Sequence, residues 1–261
     1  MSWFEAFILG LLQGLTEFLP VSSSGHLIIG KELFGIESRN MVFEVLVHAA
    51  TVLSTITVFR KEILNLGVKF FQFKWNSETQ YVLKIFLSML PVLVVGLFFK
   101  DTVTELFGEG VRLVGIMLLV TALLLTLTHF VKFKQQKTIS YTSAFVIGLA
   151  QALAVLPGLS RSGSTIATGL LMGVKKEEVA QFSFLMVLIP ILGEAFLEML
   201  GGEFSFASSG ISPIALISGF IAAYGAGFAA CKLMIGIVKR TKLIWFALYC
   251  AIMGIISIFF L

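Results

Sequence analysis

Two stretches of this chain are copies of each other, and each is an apolar segment broken in its middle. Ala6-Phe7-x-x-Gly10-x-x-Gln13-x-Leu15 returns as Ala144-Phe145-x-x-Gly148-x-x-Gln151-x-Leu153, 138 residues further on. Pro20-x-Ser22-Ser23-Ser24-Gly25 returns as Pro157-x-x-Ser160-Arg161-Ser162-Gly163, with one residue inserted. Helices usually end before such prolines, because the ring excludes the α region for the residue ahead of it. Segments 3–29 and 143–173 therefore each read as helix, break and helix rather than as an ordinary span.

The material between the copies sets the environment. Of the 261 residues, 57% are hydrophobic and 13% charged, and the mean hydropathy is +0.99. A soluble domain carries about 25% charged residues, so the chain reads as an all-α polytopic membrane protein. Six apolar runs approach the roughly 20 residues that a spanning helix needs: 42–59, 84–100, 112–131, 180–200, 211–238 and 243–261. Thirteen of the 19 Lys and Arg residues fall in 60–84, 132–137, 175–176 and 239–242. Basic clusters between apolar runs mark cytoplasmic loops, which accounts for the net charge of +4 without a nucleic-acid partner. Arg60, Lys61, Lys69, Lys74 and Lys84 place 60–84 inside, as do Lys132, Lys134 and Lys137 for their loop and Lys239-Arg240-Thr241-Lys242 for the last turn. Loops 100–112 and 201–210 then lie outside.

With these orientations each broken segment must return to the side it entered, as a re-entrant helical hairpin. Each half, about 1–138 and 139–261, is then one hairpin plus three spans within a single membrane domain. Three is odd, so the halves are expected to form an inverted repeat, with the two breaks meeting near the midplane. Cys231 and Cys250 sit in apolar stretches and read as small buried hydrophobes. A removable signal peptide is not expected, since Glu5 comes early and no basic region precedes the first apolar run. Glycines from Gly219 to Gly227 suit close packing of spans, either within one chain or in a homodimer.

The breaks carry the polar chemistry. Serines 22, 23, 24, 160, 162 and 164 can satisfy the backbone groups that a broken helix frees. Their ionisable company adds a second reading. Gln13 and Glu17 are four residues apart and share a helical face, so both oxygens can meet a hard divalent cation such as Mg²⁺ or Ca²⁺. His26 follows the serine turn as a nucleophile or general base, or as a satisfied core histidine. Arg161, flanked by Ser160 and Ser162 with Thr165 beyond, has a fork suited to phosphate; an ion pair with Glu17 is compatible with that role. Glu44 and His48 share a face of the first span, with Glu44 either lining the cavity or structural, and Glu194 and Glu198 share one on the fourth, where they approach the outer surface. A cation site, an arginine, hydroxyls and an acid/base at membrane depth point to phosphoester or pyrophosphate hydrolysis on an amphiphilic substrate.

At Gln13-Gly14-Leu15-Thr16-Glu17-Phe18-Leu19-Pro20-Val21-Ser22-Ser23-Ser24-Gly25-His26 and Pro157-Gly158-Leu159-Ser160-Arg161-Ser162-Gly163-Ser164-Thr165 the chain resembles the undecaprenyl-pyrophosphate phosphatases, also known as bacitracin-resistance proteins. The first stretch is similar to that family's (E/Q)xxxE motif and the second to its PGxSRSxxT motif, and the likeness covers essentially the whole chain. The resemblance implies removal of the terminal phosphate from C55 undecaprenyl pyrophosphate, which regenerates the lipid carrier of cell-wall synthesis. It also implies a divalent-cation requirement, residence in the bacterial cytoplasmic membrane and a site facing the periplasmic or extracellular side. By motif position Glu17 and Gln13 take the metal or acid/base role and Arg161 the pyrophosphate. Ser22, Ser24, Ser160, Ser162 and Thr165 would line the substrate. Ser23 and His26 compete as nucleophile, with a serine hydroxyl assisted by His26 or Glu17 preferred. Gln13 stands where many relatives have Glu, which removes one anionic ligand and weakens any two-carboxylate mechanism.

Two other classes share parts of this pattern. Broken hairpins in inverted repeats also describe secondary transporters, so a polyprenyl-phosphate flippase is the alternative. Type-2 phosphatidic acid phosphatases use Ser-Gly-His and Ser-Arg motifs, but here no histidine follows Ser160-Arg161 and no Lys/Arg-Pro motif precedes Ser24-Gly25-His26.

Overall fold

The computed structural model describes residues 1–36, 42–130, 137–193, 210–240 and 242–261. Lys132, Lys134, Glu194, Glu198, Thr241 and nearly all of the 201–210 loop, on which some of the expectations above fall, lie outside these residues. The first half runs through α1 (Trp3–Phe18), α2 (Ser23–Leu33), α3 (Val42–Val58), α4 (Arg60–Phe70), α5 (Ser77–Phe98), α6 (Lys100–Phe107) and α7 (Val111–Phe130). The second half holds α8 (Tyr141–Leu153), α9 (Arg161–Leu171), α10 (Lys176–Met186), α11 (Pro213–Arg240) and α12 (Ile244–Phe259). Among the described residues the only β pairing is an isolated bridge between Lys137 and Val174.

Both copied segments fold as helix–break–helix. α1 starts at a capping box, in which the Ser2 hydroxyl accepts from the Glu5 N–H and the Glu5 carboxylate accepts from the Ser2 N–H. α8 starts at the matching box of Ser140 and Ser143. Past the break, Ser22 caps α2 by accepting from Gly25 N–H, and Ser160 caps α9 by accepting from Gly163 N–H. Within each pair the helices turn back on one another. A side chain at Gly30 of α2 would meet Leu9 and Leu12 of α1, and one at Gly169 of α9 would approach Ile147 of α8. Each copied segment is thus two helices that pack on one another across a break.

α5, α7 and α11 are long and apolar enough to cross a membrane. α3 and α4 make a fourth crossing if they are taken as one element, bent by 76° at Phe59. α12, at 16 residues, is apolar but shorter. The run expected over 180–200 is interrupted: α10 ends at Met186, Val187 turns, and the chain is helical again over 188–193. α5 begins seven residues before the expected Lys84 boundary, capped by the Asn76 side chain. The outer faces explain the composition. Phe86, Leu90, Leu93, Val94 and Leu97 of α5, Ile116, Val120, Leu123 and Leu127 of α7, and Ile214, Ile217 and Ile221 of α11 are exposed at helical spacing. Apolar stripes of that extent belong against lipid. The chain is an all-α membrane protein.

Each hairpin leans on the opposite half. α1 packs along α11 and α8 along α5, α3 also lies on α11 and α10 on α5, and α7 meets α12. The closest approaches fall at copied glycines. A Cβ on Gly10 would stand 2.3 Å from the Gly219 carbonyl oxygen, and one on Gly148 2.4 Å from that of Ser88. Gly219 and Gly227 are spent within the chain, against Phe43 and Ser54 respectively. Cys231 and Cys250 are buried free thiols, as expected.

Candidate active site

The site is assembled where the two hairpin tips touch. Glu17 lies in the last turn of α1 with only 6% of its side chain exposed. An isolated carboxylate at that depth is costly, so partners are expected, and they come from three directions. Gln13, one turn earlier on the same face, donates its amide to Oε2 at 2.9 Å. The Ser23 hydroxyl, first residue of α2, donates to Oε2 at 2.6 Å. Across the repeat interface the Arg161 guanidinium, first residue of α9, donates to Oε1 at 2.5 Å. A second bond ties the tips together, from the Ser162 hydroxyl to the Leu19 carbonyl at 2.9 Å.

The two turns are built alike and equipped differently. Ser22 and Ser160 cap their helices, and their hydroxyls lie 3.4 Å from those of Ser24 and Ser162. Between them, the copy of Ser23 is Arg161. Each cap satisfies a third-position N–H and leaves those of Ser23 and Ser24, and of Arg161 and Ser162, without a protein partner among the described residues. Two helix N-termini thus present free donors at the meeting point of the hairpins, an arrangement that suits an anion. Ser22 has φ +69°, in the left-handed region that a non-glycine residue adopts at a cost.

His26 sits apart from this cluster. Its Nδ1 is 2.7 Å from the Ser22 carbonyl, which can only accept, so Nδ1 carries the proton. Nε2 then accepts from the Tyr249 hydroxyl at 2.7 Å, and the two rings stack. The remaining expected residues are structural in their contacts. Thr165 donates to the Arg161 carbonyl and pairs with Ser183 at 2.6 Å, and Ser164 is buried with its hydroxyl unpartnered.

Residues that the sequence reading left unassigned complete the surroundings. His48 of α3 brings Nε2 to 3.8 Å from Glu17 Oε2, whereas Glu44, on the same face, pairs with Lys31. A narrow cleft opens beside Glu17, Arg161 and Ser162. Thr51, Thr55 and Ser183 give it further hydroxyls, and Phe18, Val52, Phe184, Val187 and Ile191 give it an apolar wall. The available signal was a polar stripe at helical spacing in an apolar run, Glu44, His48, Thr51 and Thr55. Tyr249 had no signal beyond being a lone tyrosine in the last run.

Among the described residues no three His, Cys, Asp or Glu side chains converge on a metal position. A cation beside Glu17 would draw on neutral donors, and one stands ready: Oε1 of fully buried Gln13 has no partner. The donor set of carboxylate, amide and hydroxyl fits a divalent ion.

The family model described as bacitracin resistance protein BacA matches residues 6–256. A protein named undecaprenyl-diphosphatase from Bacteroides fragilis (strain YCH46) is 58% identical over 99% of this chain and 98% of its own. One of that name from Parabacteroides distasonis is 57% identical over 99% and 98%, and one from Oceanobacillus iheyensis is 37% identical over 98% and 95%. The match runs through both hairpins and the helices they lean on, and the chain belongs to the BacA bacitracin-resistance family.

Proposed function

We propose that this chain is an undecaprenyl-diphosphatase, a membrane hydrolase that converts undecaprenyl pyrophosphate to the monophosphate carrier used in cell-wall synthesis. The observation that carries the reading is one carboxylate holding both a serine hydroxyl and a guanidinium, Glu17 with Ser23 at 2.6 Å and Arg161 at 2.5 Å. Relatives up to 58% identical over the whole chain bear the name of that enzyme, which favours hydrolysis over a lipid flippase.

Arg161 has donors beyond the nitrogen committed to Glu17, and these with the free N–H groups of α2 and α9 cradle the terminal phosphate. Ser23 Oγ attacks the terminal phosphorus while Glu17 takes the hydroxyl proton. The bond from that phosphorus to the bridging oxygen breaks, and Glu17 returns the proton to the departing monophosphate. Water then attacks the phosphoserine with Glu17 as base, inorganic phosphate leaves, and Ser23 Oγ recovers its proton. Serine is preferred to histidine because both His26 nitrogens are already engaged, by Ser22 and Tyr249. His26 holds the strained Ser22 turn. The apolar wall of Phe18, Val52 and Phe184 takes the first isoprene units.

Gln13 and Glu17 hold a divalent cation, Mg²⁺ or Ca²⁺, which when bound neutralises pyrophosphate charge. The hairpins are re-entrant, the halves form an inverted repeat of three spans each, and the site opens to the outer side of the bacterial cytoplasmic membrane. The reciprocal packing of α1 on α11 and α8 on α5 supports the repeat.

The test is phosphate release from C55 pyrophosphate by the purified chain in detergent, with Mg²⁺ or Ca²⁺ and then with chelator. Metal-dependent release, lost in Glu17→Ala and Arg161→Ala at unchanged membrane expression, is the expected result. Turnover that survives both substitutions overturns the site. Lipid binding without phosphate release overturns the reaction.

A further inference from the structure

The proposed cation site rests on two side chains from one helix, Gln13 and Glu17, and α3 brings a third group to it. His48 Nδ1 is 2.8 Å from the carbonyl of Glu44, one turn earlier on its own helix. A carbonyl only accepts, so Nδ1 carries a proton and Nε2 is the nitrogen left to meet a further partner. It stands 3.8 Å from Oε2 of the Glu17 carboxylate. That separation is too wide for a direct hydrogen bond, which closes to about 2.8 Å when a charged donor meets a carboxylate. It is a span that one cation can bridge, since ligand nitrogens and oxygens sit about 2.0–2.2 Å from a small divalent ion. The backbone bond at Nδ1 is the second contact by which metal-ligating histidines are usually oriented.

We propose that His48 Nε2 is a ligand of the divalent cation, completing with Glu17 and Gln13 a mixed nitrogen–oxygen site that spans α1 and α3. The inference rests on the cation reading given above and extends it in one respect: an imidazole ligand favours a first-row transition ion, even Mn²⁺ at the weak end of that series, over Ca²⁺. The sequence holds three histidines. His26 has both nitrogens engaged, and His129 lies in the last turn of α7, so an imidazole signal from the site has one source.

The experiment is electron paramagnetic resonance on Mn²⁺ bound to the full chain in detergent micelles, with electron spin echo modulation used to detect coordinated nitrogen. Bound Mn²⁺ is expected to show ¹⁴N modulation that converts to ¹⁵N modulation when the protein is made with ¹⁵N-histidine, a control that needs no substitution. His48→Gln is expected to abolish the modulation, to weaken Mn²⁺ binding about tenfold and to leave Ca²⁺ binding nearly unchanged. Mn²⁺ that binds and is lost in Glu17→Gln, yet shows no histidine modulation or keeps it in His48→Gln, overturns the role of His48 and leaves the cation reading standing. No Mn²⁺ binding where Ca²⁺ binds overturns the role of His48, and binding of neither ion overturns both.

Discussion

Glu17 is the residue on which the site's charges balance. Its carboxylate takes hydrogen bonds from Gln13, Ser23 and Arg161 while almost wholly buried, so removing any donor leaves part of a buried anion uncompensated. The donors differ in what else they do. Ser23→Ala is expected to lower kcat by at least about 10³-fold while lipid binding persists, as for loss of a nucleophile. Tyr249→Phe, which frees Nε2 of His26 without touching Glu17, is expected to cost less than about tenfold. Steady-state kinetics with acid-quench trapping of a phosphoserine decide between the two residues: a Tyr249→Phe defect as large as that of Ser23→Ala would move the nucleophile to His26. Arg161→Lys keeps the charge but loses the fork, with an expected loss of about 10²-fold in kcat/KM. Gln13, Glu17, Ser23 and Arg161 were legible from the sequence because their spacing on a helix or beside a cap fixes where they point. His48 was visible only as a polar residue on an apolar face. Its partner lies on another helix, and helix spacing carries no information about that distance.

At the scale of the elements, caps and glycines do most of the positioning. The Ser22 and Ser160 caps hold α2 and α9 at the tips, and Ser160→Ala is a loss of about 1 kcal/mol from the second hairpin. The glycines are less forgiving. A Cβ at Gly148 meets a backbone carbonyl of α5 at 2.4 Å, which cannot rotate away, so Gly148→Ala is expected to destabilise by about 3 kcal/mol. Gly67→Ala, where nothing lies within 4 Å, is the matched control. Thermal unfolding in detergent reads both, and equal midpoints would contradict the close packing of α8 on α5. The breaks were legible because proline and serine punctuate them. The bend at Phe59 was not, since neither Pro nor Gly marks it and the only trace is the switch from apolar residues to Arg60-Lys61. The early start of α5 was hidden by its charges, which are matched by neighbours: Glu78 by Lys69, and Lys84 by the face of the Tyr141 ring at 5.4 Å.

For the whole molecule, orientation is the property that charge predicts and packing alone does not. Trp75, 72% exposed in the basic 60–84 segment, and Glu109, exposed beyond α6, are predicted by the charge pattern to lie on opposite sides of the membrane. Both native thiols are buried, so cysteines placed at 75 and 109 report against a low background. A membrane-impermeant thiol reagent added to intact cells should label Glu109→Cys and spare Trp75→Cys until the cells are opened. Labelling of both from outside would refute the charge-based topology. The number of spans was the least legible feature, because the apolar runs 180–200 and 243–261 are longer in the sequence than the helices α10 and α12 that begin or lie in them.

The duplicated turns carry a serine at one tip and an arginine at the other, and that difference bears on how such a site can arise. Two separate, identical half-chains joined about a twofold axis would set serine against serine or arginine against arginine. Neither pairing supplies a hydroxyl and a guanidinium to one carboxylate. Only after both copies share a single chain can one drift toward attack and the other toward anion binding, each freed by what its twin retains. The helices, caps and close-packed glycines are what the two segments share, and the chemistry resides in the positions where they differ.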